Sequence, residues 1–445
     1  MEKQWEEMTS DERQETLFQR WISAEGVKFA SPEAEKLYKE RTTRFKNALQ
    51  LKTEPDRIPV FLIPSFGPAY YAGLTPHDLM YNYEKITPTW KKFYMDFQPD
   101  AHSGAFVPSP GKFLEIVDFK LYKWPAHGVS EDTTYQCIEG EYMRADEYDF
   151  FNHNVLYFFN NVWPSRVFGA LEPLGMLPPL AGVTEMYGVS IPFIPYGTPP
   201  VQAALKTLME AGEEALKWIG AVGAFGPEIT AEGFPPYQVG VSKAPFDVIG
   251  DTLRGTRGVM LDMYRQPDKL LEAMEILTPT FIKLGVDAAK QYGCPLIFMP
   301  LHKGADGFLS DEQFKKFYWP SFRNILLALI DEGVVPFIWA EGGYNSRLEI
   351  IQDLPKGKTA WLFDQTDMAR AKETIGKVAC IAGNMPMDML TVGSTQGAID
   401  YTKRLIDVCG KDGGYIMANG AFFDEVKWDN LRAIVDTIKK YGAYK

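Results

Sequence analysis

The C-terminal half of the chain alternates short apolar runs with amphipathic stretches of helical period, and this alternation constrains the fold more than any other feature. The run PLIFMPLH, for example, occupies 295–302 and is followed by a helical stretch that Ser310 caps and Gly333 ends. Repeated βα units of this kind indicate a parallel sheet. We predict that adjacent strands of one closed sheet lie at 296–301, 335–340, 359–363, 378–383 and 414–418.

The region upstream of these units is less regular. RIPVFLIPS at 57–65 follows a helical stretch and predicts a first strand. Residues 66–200 are rich in Pro, Gly and aromatic residues, and we interpret them as early strands interrupted by long loops. Residues 201–226 and 267–293 have clear helical periodicity.

A chain of 445 residues is within the range of a single TIM barrel with insertions. We therefore predict an α/β fold, a (β/α)8 barrel with long early βα loops. The division that follows is an N-terminal helical extension at 1–30 and a barrel at 31–445.

Charge and cysteine usage exclude several classes of partner. The net charge of -12 argues against binding to nucleic acid or to an anionic membrane surface, because both need clustered cations. The sequence contains no apolar run long enough for a transmembrane helix and no signal-peptide pattern. The cysteines are far apart, which favours free thiols in a reducing cytoplasm; they are Cys137, Cys294, Cys380 and Cys409.

Polar residues close several of the apolar runs, at the end of a barrel where catalytic groups are found. They are His302, Glu341, Asp364, Asn384 and Asn419. A carboxylate buried without a partner is costly, so a cation, a hydrogen-bond network or a metal has to offset that cost. The structural alternatives are helix N-caps for Asp364 and Asn384 and a hydrogen-bonded core residue for His302.

His302, Glu341 and Asp364 are the candidate catalytic group. Mixed nitrogen and oxygen ligands suit Zn²⁺ with an open coordination position, and they also suit Fe or Mn. We predict that the three residues bind zinc. The alternative is that the same side chains hydrogen-bond an ether or carboxylate directly.

Other segments resemble the uroporphyrinogen decarboxylase superfamily. The pattern GN…P…L…G occupies 383–393, and GGYI begins the late strand at 413. Upstream matches are ERTTRFKNALQLKTEPDRIPV at 40–60 and APFDVIGDTLRGTRGVMLDMYRQPDKLLEAM at 244–274. The resemblance covers nearly all of 30–443 and implies a TIM barrel.

Departures from the superfamily patterns narrow the activity. Uroporphyrinogen decarboxylases carry an Arg-rich segment after the first strand, where this chain has IPSFGPAYYAG, and an Asp-containing segment where it has MPLHKGADGF. Tetrapyrrole decarboxylation is therefore disfavoured. Methylcobalamin:coenzyme M methyltransferases hold zinc with a His-x-Cys pair and a later Cys. In this chain the His-x-Cys position is occupied by Trp339-Ala340-Glu341, and the later Cys position falls near Gly420-Ala421. Both cysteine ligands of that zinc site are therefore missing.

The remaining branch consists of enzymes that take a methyl group from a methoxylated aromatic and pass it to cobalt(I) of a partner corrinoid protein. The resemblance thus implies O-demethylation, with a metal or acid acting on the ether oxygen. The alternatives are a methylcobalamin:thiol methyltransferase, a decarboxylase of another substrate, and a barrel that binds without catalysis. The sequence does not decide between a monomer and a homodimer.

An aryl ether substrate predicts a pocket of aromatic and Met side chains. The candidates are Phe66, Tyr70, Tyr71, Trp339 and Met299, with Asn384 and Asn419 as polar substrate-binding groups. Strand alternation places Trp339 on the face of Glu341, inside the barrel. Met299 lies on the opposite face from His302 and is expected to point toward the helices. Core packing is the alternative for each aromatic residue.

Overall fold

The structure, a computed structural model, describes residues 3–106, 108–180 and 186–444. Its strands, numbered in chain order, are β1 Val60–Phe61, β2 Tyr122–Pro125, β3 Gly128–Val129, β4 Gln136–Cys137, β5 Leu296–Leu301, β6 Val335–Ala340, β7 Ala360–Phe363, β8 Cys380–Gly383 and β9 Tyr415–Ala418. Two sheets result, a large parallel one and a small one formed by β2, β3 and β4.

The large sheet has six strands in the order β1-β9-β8-β7-β6-β5, and every pair is parallel. The five apolar runs of the C-terminal half are therefore neighbours in sequence order, as predicted. Three of these strands begin one or two residues later than expected, at Ala360, Cys380 and Tyr415. The sheet curls into part of a barrel with helices outside it.

Two extended segments lie between the edge strands β1 and β5. Residues 101–102 form isolated parallel bridges with Phe61 in β1 and with Pro236. Further along, Val241 bridges Phe298 in β5, and Ser242 donates a backbone hydrogen bond to the Phe298 carbonyl at 3.0 Å.

Helices cover the outside of the sheet and most of the N-terminal half. They are α1 Ser10–Ser23, α2 Pro32–Gln50, α3 Gly67–Tyr71, α4 Pro76–Tyr81, α5 Ile86–Phe97, α6 Gly111–Val117, α7 Tyr148–His153, α8 Val155–Tyr157, α9 Trp163–Val167, α10 Pro199–Ala231, α11 Pro245–Val248, α12 Gly255–Arg265, α13 Pro267–Tyr292, α14 Asp311–Gln313, α15 Trp319–Asp331, α16 Leu348–Ile351, α17 Met368–Glu373, α18 Met387–Thr391, α19 Thr395–Cys409 and α20 Trp428–Tyr441. In the described residues no helix is both long and apolar enough to cross a bilayer.

The interpretation of 66–200 as early strands and loops is wrong for most of the described part of that range. It holds α3 to α9 and the small sheet, and only residues 101–102 bridge a strand of the large sheet. Bulky aromatic residues there pack against helices as readily as against a sheet, and the segment lacks the alternation that distinguishes strands. Composition alone therefore misled the prediction.

The two faces of the large sheet pack differently. Side chains of one face, such as Phe337 and Leu362, form an interior cluster, and Phe18 and Trp21 of α1 join it. The other face, with Ile338 and Trp361, packs against the outer helices. The helix α1 thus closes the N-terminal end of the sheet and leaves the opposite end free.

The division of the chain into an N-terminal extension at 1–30 and a barrel at 31–445 stays a prediction.

Candidate functional site

The ends of β5 and β6 bring two of the predicted residues together. His302 follows β5 directly and Glu341 follows β6, and the in-register parallel pairing of these strands places both at one edge. His302 Nε2 lies 3.7 Å from Glu341 Oε1, and the two side chains are 36% and 38% exposed. A histidine and a carboxyl group therefore share an accessible position at the strand ends.

The other nitrogen of His302 is held by Asp251. His302 Nδ1 lies 2.6 Å from Asp251 Oδ2, and Lys243 Nζ and Lys303 Nζ approach the same carboxylate at 2.6 and 2.9 Å. Burial alone would raise the pKa of Asp251, but the His302 hydrogen bond and the two lysines hold it well below its ordinary value. The Asp251 carboxylate at Nδ1 holds the His302 ring in the orientation that turns its Nε2 toward Glu341.

A second aspartate binds the backbone at the same end of β5. Asp247, in α11, is fully buried and accepts hydrogen bonds from the backbone N–H groups of His302 and Lys303 at 3.1 and 2.9 Å. It also accepts one from the Tyr318 hydroxyl at 2.7 Å. Burial and the nearby Asp251 charge raise the pKa of Asp247. These contacts fix the backbone that carries His302.

Glu341 has a pKa that suits a general acid near neutral pH. Burial raises its pKa to about 7; His302 opposes this, and Asp247, Asp251 and Asp364 add to it. Burial lowers the pKa of His302, but the contact with Asp251 and the charge of Glu341 outweigh burial, so the pKa of His302 is raised. A carboxyl group that is half protonated near neutral pH is suited to donate a proton to a bound substrate.

Asp364 and the two asparagines lie at neighbouring strand ends. The Asp364 carboxylate accepts from the Gly342 N–H at 3.1 Å, and the Asn384 amide donates to the backbone carbonyls of Asp364 and Thr366. Asn419 exchanges hydrogen bonds with the backbone of Ile63 at 2.9 and 3.1 Å. The N-cap alternative is wrong for Asp364 and Asn384, because the capping positions of α17 and α18 are Asp367 and Pro386.

The predicted zinc set does not fit this geometry. Among the residues that the structure describes, no three His, Cys, Asp or Glu side chains are grouped to hold a metal ion. His302 Nδ1 is occupied by Asp251, and Asp364 is engaged by Gly342. His302 Nε2 and Glu341 would supply two ligands, one fewer than a catalytic zinc normally has. Zinc stays a prediction, and the chemistry below uses protons.

Trp339 lies on the interior face of the large sheet, as predicted from its spacing to Glu341. Its indole N–H donates to the Gly420 carbonyl at 3.0 Å, and its ring packs edge-on against Phe422 at 4.5 Å between centroids. Met299 packs in the helix-facing cluster, again as predicted. Trp339 thus forms an apolar floor on the face of the sheet that carries Glu341.

An aromatic cavity of about 520 Å³ lies between α6, the small sheet and α10, a size typical of small-molecule sites. Its walls include Tyr122, Trp124 and Tyr135 from the small sheet region and Trp218 from α10. Burial raises the pKa of Tyr135, and the charges of Asp424 and Glu341 raise it further. Tyr135 is therefore the wall residue of the cavity whose pKa is influenced by the charge of Glu341.

The five predicted pocket residues are not themselves the walls of that cavity. Phe66 is fully buried and supports Tyr135 from behind, with ring centroids 6.2 Å apart. The Tyr70 hydroxyl donates to the Asp132 carbonyl. Tyr71 donates to Asp96 at 2.9 Å and packs among other aromatic side chains between helices. Their substrate-binding role stays a prediction, with Phe66 acting through Tyr135.

Sequence reasoning missed Asp247, Asp251, Lys243 and Lys303. A signal was present, since the two aspartates in APFDVIGD are four residues apart and so share one helical face. The structure adds a π-helical turn at Ile249–Leu253, which carries Asp251. Such turns are rare and occur often at functional sites. The contact between this turn and His302 depends on the tertiary fold, so the sequence alone does not reveal it.

Comparison with known proteins supports the fold. Residues 237–441 match the family model Uroporphyrinogen decarboxylase (URO-D), a narrower range than the one in which we found the resemblance. A solved structure of a methyltransferase from Methanosarcina mazei is similar with a TM-score of 0.56 and 14% identity, covering 90% of this chain and 98% of that chain. At this identity the likeness concerns the fold alone. No curated protein sequence matches the chain.

Proposed function

On the premise that residues 237–441 carry the match to the uroporphyrinogen decarboxylase family, we propose that the chain is a corrinoid-dependent methyltransferase. It removes the methyl group of a methoxylated aromatic, and the methyl acceptor is the cobalt(I) of a partner corrinoid protein. The methyltransferase fold neighbour is consistent with this proposal. The observation that carries it is the Glu341 carboxyl group at the strand ends, whose pKa burial raises to about 7 and which lies 3.7 Å from His302. The aromatic cavity that includes Tyr135 supports an aromatic substrate.

Demethylation of an aryl ether releases a phenolate, which is a poor leaving group until its charge is neutralised. The pKa of a phenol is about 10. A carboxylic acid with a pKa of about 7 therefore protonates the departing phenolate favourably. Glu341 donates the proton to the ether oxygen as the bond to the methyl carbon breaks. His302, oriented by Asp251, stabilises the carboxylate that remains.

The surroundings of Glu341 support an aromatic donor and an external acceptor. The aromatic walls of the cavity suit a flat ring. Trp339 lies two residues before Glu341 on the interior face of the sheet and adds apolar surface there. His302 and Glu341 remain more than one third exposed, which leaves room for a partner domain to approach. The corrinoid supplies the nucleophile that accepts the methyl group. This chain binds the ring, orients the ether and delivers the proton.

The proposal treats the sheet as a closed (β/α)8 barrel. Residues 101–102 and 236–242 would be its second and third strands, supported by their bridges to β1 and β5. Eight parallel segments would then surround the interior cluster. The proposal also includes a cytoplasmic location, which suits the four free cysteines.

The acid role of Glu341 predicts a decline of activity with rising pH. The active form is protonated, and the folded pKa is about 7, so kcat/KM should fall as the pH rises through that value. On the acid side the rate should stay flat, because Asp251 remains ionised. Initial rates of phenol release between pH 5.5 and 9 test this. An unchanged rate at pH 9 would exclude Glu341 as the proton donor.

The position of Trp339 below Glu341 predicts a defect in substrate binding. Trp339→Ala should raise KM for methoxyarenes about 10-fold, because the indole is the apolar side chain next to Glu341 on the interior face of β6. The variant should also lose about 3–5 kcal/mol of stability because of the cavity it leaves. Steady-state kinetics and urea unfolding measure the two effects.

The matched control is Trp361→Ala, on the neighbouring strand and on the helix-facing side. It should lose comparable stability and keep its KM. Equal changes of KM in both variants would mean that the Trp339 effect is a general consequence of destabilisation.

A further inference from the structure

The aromatic cavity is larger than one methoxylated ring needs. Its volume is about 520 Å³, which lies within the range of pockets that bury drug-sized ligands. A single ring with its methoxy group would leave much of this space to water, and water against apolar walls is unfavourable. Two rings joined in one molecule would fill more of the cavity and cover more of its aromatic surface. The volume therefore favours a ligand with two rings.

The described residues that line this cavity include no charged side chain. They are aromatic and aliphatic, and their hydroxyl groups belong to Ser109 and two tyrosines. The two indole N–H groups of the walls are already engaged: Trp124 donates to the Tyr81 hydroxyl at 3.2 Å, and Trp218 donates to the Pro108 carbonyl at 2.7 Å. A charged substituent inside the cavity would lose its hydration without gaining an opposite charge from the walls. The lining therefore favours a neutral ligand.

Two pairs of aromatic side chains offer contact surface for two rings. Tyr122 and Tyr135, from the small-sheet region, pack edge-on with ring centroids 5.7 Å apart. Phe106 and Trp218 form the second pair, also edge-on, with centroids 6.4 Å apart. Phe106 is 58% exposed, so this second pair lies where the cavity opens to solvent. Edge-to-face and offset contacts with such side chains stabilise a bound aromatic ring beyond the burial of its area.

The charges of the catalytic group act on the tyrosine pair. Burial is the main cause of the raised pKa of each tyrosine, and the charge of Asp251 adds to it for Tyr122, as that of Glu341 does for Tyr135. The ring that carries the reacting methoxy group therefore belongs at the two tyrosines, and a second ring belongs toward the opening of the cavity.

We propose that this cavity binds a neutral methoxyarene with two aromatic rings, the methoxylated ring against Tyr122 and Tyr135 and the second ring against Phe106 and Trp218. This substrate class rests on the proposed function, whereas the preference of the cavity for two rings is a property of binding alone. The second ring buries apolar area that a one-ring compound lacks. A two-ring phenol should therefore bind about 10–100-fold more tightly than phenol.

Calorimetric titration of the purified protein with three demethylated products tests the ligand class without a corrinoid. We expect para-phenylphenol to bind most tightly, phenol less tightly and para-hydroxybenzoate, which carries a negative charge, most weakly. The same titrations should be made on Ala215→Phe. Ala215 lines the cavity one helical turn before Trp218, so a phenyl group there occupies the space of the second ring. The variant should lose most of the preference for para-phenylphenol and keep its affinity for phenol.

The matched control is Ala203→Phe, at an exposed alanine of α10 that does not line the cavity; it should keep the wild-type preference. Equal affinities for phenol and para-phenylphenol, tightest binding of para-hydroxybenzoate, or an equal loss of both phenols in Ala215→Phe would overturn the inference. Failure of the proposed function gives a different result. The preference for para-phenylphenol would remain, but neither methoxybenzene nor para-methoxybiphenyl would transfer its methyl group to cob(I)alamin.

Discussion

Glu341→Gln should lower kcat for methyl transfer from an unactivated methoxyarene by about 10²–10³-fold, the range of a positioned general acid. The amide keeps the size of the side chain and a hydrogen-bond donor, but it has no proton to transfer. It should also abolish the decline of activity above pH 7, since that decline belongs to the carboxyl group. Anaerobic assays of phenol release measure both effects.

Leaving-group chemistry makes this experiment specific. A nitro-substituted methoxyarene releases a less basic phenolate that needs less protonation, so Glu341→Gln should recover much of its rate on that substrate. The matched control is Glu349→Gln on α16, where the carboxylate pairs with Arg370 and lies away from the cluster; it should behave as wild type. An equal loss on both substrates would contradict acid catalysis by Glu341.

Asp251→Asn should be the second most damaging substitution, with kcat lowered about 10²-fold or more. The amide presents a donor or a weaker acceptor to His302 Nδ1, so the imidazole loses its fixed orientation toward Glu341. Comparable loss of an orienting aspartate is severe in other His-dependent enzymes. The pH profile should shift as well, because the pKa of His302 is raised through its contact with Asp251.

The same substitution removes the shared counter-charge of Lys243 and Lys303. We expect a stability loss of about 1–3 kcal/mol from the buried groups left without a partner. Asp287→Asn, in an exposed pair with Lys283, is the matched control and should alter neither stability nor rate. If Asp251→Asn lost stability but kept wild-type kcat and pH profile, the aspartate would be purely structural.

The C-terminal half of the fold was predictable because each strand there is a buried apolar run bounded by turn residues. The order of β5 to β9 and the inward orientation of Trp339 follow from that pattern and from strand alternation. The meeting of His302 and Glu341 follows as well, since parallel neighbours end at the same edge. The segments at 101–102 and 236–242 are too short or too irregular to carry such a signal.

The partners of His302 were not predictable for a different reason. Asp251 lies in a π-helical turn more than 50 residues upstream, and that turn reaches the end of β5 because the preceding segment at 236–242 runs alongside β5. The position of Tyr135, which directly precedes β4 and whose pKa the charge of Glu341 helps to raise, was equally unpredictable from the sequence. The strand ends alone therefore identified His302 and Glu341 but not Asp251, which holds the other nitrogen of His302.

The proposed methyl transfer is tested most directly by mixing the purified protein with a methoxyarene panel and cob(I)alamin, free or on a corrinoid protein, and measuring both products. The account predicts equal amounts of phenol and methylcobalamin, with a rate that depends on Glu341. Failure to form either product with any methoxyarene, together with methylation of a thiol by methylcobalamin or decarboxylation of a substrate, would contradict it.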